Sequence, residues 1–262
     1  MGDNGGRSLQ HMHIDTVLLL MATSKLNQRQ GFRFQRTHPA LSAGPELTAI
    51  GKRAENVPVF YGQSPLDSAC SHHVLASIFS ILGVIKPSAI VSMNRRKFGY
   101  SSVFFKQMLP FWHTGIDPEE LVACVNAMGL PITLTARYKT APDLDQFAIK
   151  NLMKGELVAI SIDSVFTRST RHWTLGVAAG GIQRGNTFDT DTLYLLDASA
   201  SPPVFSEYNA FLKLIPSARK RRSGIGEPSP TKRTPLNWSY CAPDWTPETV
   251  MITSAIRFRL VE

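Results

Sequence analysis

The spacing of apolar residues changes at Gly155, and this change constrains the fold more than any other feature of the sequence. Before it, apolar residues recur mainly at helical spacing. Val74, Leu75, Ile78, Phe79, Ile81 and Leu82 form one stripe, predicting a helix that opens at Cys70 with Ser68 or Asp67 as its cap. Leu121, Val122, Val125 and Met128 form a second. There Asp117 and Glu120 supply a capping box, Pro118 the first helical residue and Gly129 the stop. A third helix is predicted over about residues 142–154, and one alternating strand over residues 132–138. Beyond Gly155 strands dominate, at residues 157–162, 172–177, 193–197 and 252–261. Ser206 is expected to cap a short helix running through Phe211 to Leu214. Helices first and strands later predict an α+β fold with a mainly antiparallel sheet.

Residues 1–56 lack a clear period, and 27–55 are rich in Gln, Arg, Gly, Pro and Ala. They read as an N-terminal arm or linker, leaving 57–262 as one domain. Within that domain, residues 217–247 carry Pro, Ser, Gly and a basic run (Arg219, Lys220, Arg221, Arg222, then Lys232 and Arg233). This is read as a basic flexible insertion, because a strand follows it. An apolar fraction of 43% suffices for a core, and a charged fraction of 18% is too low for a largely disordered chain. The net charge of +8 admits an acidic partner for the insertion. No nucleic-acid motif with its own geometry is present, so no specific nucleic-acid partner is expected. No run reaches the roughly 20 apolar residues that cross a bilayer. The apolar residues 17–22 form no clear signal peptide. The expected location is cytoplasmic, with a secreted effector lacking a classical signal peptide as the alternative.

The chain has three cysteines, too few for a disulfide framework, which leaves Cys70 available as a thiolate. Its position at a helix N-terminus suits a nucleophile, because the first amides and the helix dipole favour negative charge. His172 opens a strand and is the expected base. Asp197 ends the following strand and is expected to hold the imidazole, in preference to Asp189 and Asp191, which lie beside a turn. Gln63 is the expected oxyanion donor, with the Cys70 amide as its partner. Trp173 is a candidate for binding substrate. Trp112, His113, Trp238 and Trp245 are candidates for a groove or for ordinary packing. His72 and His73 follow the cysteine but lack a second cluster with zinc spacing, so neither metal nor cofactor is expected.

Gln63, then Cys70 opening an apolar helix, then His172-Trp173 on a strand and Asp197 ending the next, resembles the papain-like cysteine peptidases. The likeness is nearest to their bacterial bacteriocin-processing (double-glycine leader) branch. It implies a papain-like fold, with the nucleophile's helix packed on an antiparallel sheet bearing the histidine and aspartate. It also implies thiol-protease hydrolysis of a peptide or isopeptide amide in a protein or peptide substrate, through a thioester. The sequence departs from the pattern in placing six residues between Gln63 and Cys70 and Ser71 after the nucleophile. Two alternatives stand beside this reading. One is a deamidase or transglutaminase-like effector with the same triad, and the other a non-catalytic protein-binding module.

Overall fold

The computed structural model describes residues 31–50, 55–64, 68–166, 171–216 and 236–261. The chain divides into two compact units. The smaller comprises Met1–Phe34 with Gly181–Thr190. Among its described residues Phe34 meets Phe188 edge to face, Arg184 pairs with Asp189, and Gly185 turns the chain at φ +58°. The larger unit comprises Gln35–Gly180 with Asp191–Glu262 and carries every residue of the candidate site.

Eleven strands are described: β1 (Phe32–Thr37), β2 (Leu41–Ser42), β3 (Thr48–Ile50), β4 (Asn56–Pro58), β5 (Ile132–Tyr138), β6 (Leu157–Ser164), β7 (His172–Arg184), β8 (Thr187–Leu196), β9 (Ala210–Leu214), β10 (Trp238–Cys241) and β11 (Glu248–Leu260). The helices are α1 (Cys70–Ile81), α2 (Pro87–Val91), α3 (Tyr100–Met108), α4 (Pro118–Ala127) and α5 (Leu144–Leu152).

The α+β, papain-like arrangement expected from the sequence is not what the chain adopts. Strands hold 37% of the described residues and helices 25%. Strands β7-β6-β11-β10-β9-β8 pair in that order, and β8 pairs back with β7, closing a six-strand antiparallel barrel. Closure removes the free edges that an open sheet would have to protect. β1 adds to β7, and β5 takes over from β10 along the second half of β11. Strands β2, β3 and β4 form a separate small sheet.

Three local expectations change with this topology. Ala210 to Leu214 is a strand, β9, and not a helix. Ala210 and Leu212 alternate inward between β8 and β10, so pairing overrides the capping signal of Ser206. Trp238, assigned to the flexible insertion, lies fully buried on β10, a barrel strand. The basic run at 219–222, with Lys232 and Arg233, lies outside the described residues. Of the segment read as an arm or linker, residues 32–50 contribute strands, and Leu47 and Ala49 join the core.

Two cores result. One receives side chains from all six barrel strands, among them Ile160, Ile162, Ala179, Leu195, Leu212, Tyr240 and Ile252, and therefore lines the barrel. Leu144, Ala148 and Leu152 of α5 join it. Gly176 permits this approach, since a Cβ there would meet Leu152 and Ile160 methyls at 3.0–3.2 Å. The other core lies outside the wall, where Leu157, Trp173, Leu175, Leu196 and Phe258 pack with α1, α3 and α4. Eleven of the twelve residues of α1 are buried, so the helix bearing Cys70 is held on nearly all sides and its first residue is fixed in position.

Candidate active site

Cys70 is the first residue of α1. Its N-cap is Ala69, with no side-chain cap, rather than Ser68 or Asp67; Asp67 lies outside the described residues. The Ala69 carbonyl accepts from the His72 and His73 amides. Helix geometry leaves the Cys70 and Ser71 amides without an acceptor one turn earlier, aimed out of the helix end. Cys70 is 8% exposed, so the residue is largely enclosed.

His172 is the first residue of β7 and pairs with Ile162, a lining residue, so its ring points to the lining side at one end of the barrel. A β-bulge in β11 between Ile252 and Ser254 falls at this level, where Ile252 pairs with Ile162. Ser161 binds the Thr253 and Ser254 hydroxyls at 2.7 and 2.8 Å and pins the bulge, which bends the strand beside the histidine. Alternation sends the next residue, Trp173, to the other face. Trp173 is 1% exposed, packs in the outer core and donates its indole N–H to the Ile116 carbonyl. It therefore lines no open surface for substrate.

Asp197 follows Leu195 by two residues on the same side of the chain, and is fully buried. Its Oδ2 lies 2.7 Å from His172 Nε2 and also accepts the Tyr240 hydroxyl. Its Oδ1 accepts the Ser199 amide at 2.8 Å. Asn209 accepts the Asp197 amide and donates to the Asp197 and Ser201 carbonyls, which fixes the backbone there. The Ser199 hydroxyl donates to Gln63 Oε1 at 3.0 Å, and the Gln63 amide donates to the Ala198 carbonyl at 2.7 Å. Ser199 thus links the carboxylate to the glutamine and turns the Gln63 side-chain NH₂ away from itself.

The electrostatics follow from these contacts. Burial alone would lower the His172 pKa. The charge and hydrogen bond of Asp197, with a further hydrogen bond and charge from Cys70, outweigh burial and push it up to about 10. Burial would raise Asp197, but the His172 charge and the bonds from His172, Tyr240 and Ser199 hold it below the usual carboxylate range. The Tyr240 phenol is pushed up by burial and then by the Asp197 charge, so it remains a donor. Cys70 and Asp197 thus both act on the charge of the ring, and with Nε2 committed to the carboxylate, Nδ1 is the nitrogen left for sulfur.

The other candidates have different surroundings. Asp191 pairs with Lys213 at 2.7 Å, and Asp189 with Arg184. His72 is buried, with Nε2 2.7 Å from the Met108 carbonyl and its ring against Trp112. Burial, then the Glu120 charge, raises the Cys124 thiol. Trp245 is exposed, and Trp238 donates to Asp145 inside the fold. Sequence reasoning missed Tyr240, Ser199 and Asn209. Only Ser199, two residues after Asp197, carried a local signal, that of an Asx-type turn. No protein-family model and no curated protein matches the chain.

Proposed function

We propose that the chain is a cysteine-type amidase acting on peptide or isopeptide bonds. The observation that carries this is the His172 ring held at 2.7 Å by the buried Asp197, with Cys70, at a helix N-terminus, close enough to help raise the imidazole's pKa. The thiolate attacks the amide carbonyl carbon, forming a C–S bond while the C=O π pair moves onto oxygen. That oxygen is met by the Cys70 amide and the Gln63 side-chain NH₂, which Ser199 orients. His172 gives its proton to the leaving nitrogen as the C–N bond breaks, leaving a thioester. It then takes a proton from water, which attacks the thioester and returns the thiolate.

The test is incubation of the full chain, and of Cys70→Ala, with a peptide library read by mass spectrometry. Cleavage by the wild type and none by the variant supports the proposal. A gain of about one mass unit on Gln or Asn, without cleavage, replaces it with side-chain deamidation by the same triad. Equal outcomes for both proteins favour a binding module.

A further inference from the structure

Between Asp67 and Asp117 the sequence holds five Lys or Arg residues and no carboxylate. Three of them, Arg95, Arg96 and Lys97, fall within residues 94–100, where every residue is exposed. Phe98 in the same stretch is 86% exposed, and Val91, at the end of α2, is 79% exposed. Gly99, at φ +85° in the left-handed region, turns the chain into α3. Arg96 donates to the Ser92 hydroxyl, and none of the ion pairs among the described residues includes Arg95, Arg96 or Lys97.

Three adjacent cations in no ion pair among the described residues, on a segment that also carries two exposed apolar side chains, have a specific complement. It is a surface that is anionic on the outside and apolar immediately beneath. We propose that residues 91–100 dock the protein on an anionic lipid bilayer, with the cations among the headgroups and Phe98 and Val91 at the acyl boundary. A nucleic acid would use the cations and could stack on Phe98, but offers nothing to Val91. Both ends of the segment run into the fold: Ile90 before it, and Phe104 and Met108 of α3 after it, are buried in the outer core. The proposal does not depend on the thiol chemistry.

The test is co-sedimentation of the full chain with phosphatidylcholine vesicles, with and without about one-third phosphatidylserine. Binding is expected only to the anionic vesicles. Arg95→Ala, Arg96→Ala and Lys97→Ala should each weaken it about five-fold, and high salt should mimic their combination. Phe98→Ser should weaken it about ten-fold at either salt. These side chains are exposed, so an unchanged melting curve will show that each variant is folded. Three results would overturn the proposal: no binding to anionic vesicles, equal binding by the Arg95/Arg96/Lys97 triple variant, or a preference for a single-stranded oligonucleotide that the same triple variant abolishes.

Discussion

Tyr240→Phe removes one hydroxyl and nothing else, and its consequence can be worked from the contacts around Asp197. The carboxylate is fully buried and accepts from His172, Tyr240 and the Ser199 amide, with His172 and Tyr240 on the same oxygen. A hydrogen bond to a buried charged group contributes about 1.5–3 kcal/mol, and removing the donor leaves that oxygen less satisfied. Relief from burying the phenol offsets part of this, so we expect a stability loss of about 2 kcal/mol at neutral pH. The loss should depend on pH in a definite way. The tyrosine bond is one of the contacts that hold Asp197 below its usual range, so its removal raises the folded-state value. The gap between wild type and variant is full while the carboxylate is ionised, and closes as pH falls through the folded carboxyl values. Urea unfolding at a series of pH values measures it, and amide hydrolysis should fall about ten-fold in parallel, the equivalent of about 1.4 kcal/mol at the transition state. A variant with wild-type stability and rate across the series would refute the argument that Tyr240 holds the carboxylate.

Ser199→Ala keeps the backbone amide on Asp197 but removes the hydroxyl that donates to the Gln63 carbonyl oxygen. The expected result is a fall in kcat of about five- to ten-fold, with the pH profile unchanged, checked by steady-state kinetics across pH. The His172–Asp197 pair also sets a stability window. His172 is raised from an ordinary value of about 6.5 to about 10, so its contribution is full below about 6.5, fades as pH rises and is gone past about 10. Asp197 is lowered, so its contribution is present above about 4 and lost as pH falls through its folded value. Both shifts report one interaction, on the order of a few kcal/mol. Stability should be greatest between about pH 4 and 6.5, and Asp197→Asn should flatten the alkaline decline in unfolding experiments.

The helix that carries Cys70 was legible because its apolar stripe and the preceding turn residues agree, and the Asp117–Glu120 cap because its residues signal locally. The long strands of the second half were legible from their apolar runs. Barrel closure was not, because β8 follows β7 through a short turn and the ring is completed only when β9 and β10 link β8 to β11, and β10 lies just beyond a stretch rich in Pro, Ser and Arg. The segment at Leu47 and Ala49 reads as a linker because its strands are two or three residues long, too short to show a period. Cys70, His172 and Asp197 were named from their places at element ends. Tyr240 was not, since a tyrosine on a short strand 43 residues from Asp197 reads as ordinary core until the pairing of β10 with β9 brings it across the barrel.

The claim on which the rest depends is that the Cys70 thiol and the His172 ring form one coupled pair. Its most direct measurement is the rate of alkylation of Cys70 by iodoacetamide as a function of pH, in wild type and in His172→Ala, with Cys241 as the internal reference. We predict that His172→Ala slows the alkylation of Cys70 relative to Cys241 and changes the shape of its pH profile. Superimposable profiles for the two proteins would contradict the account.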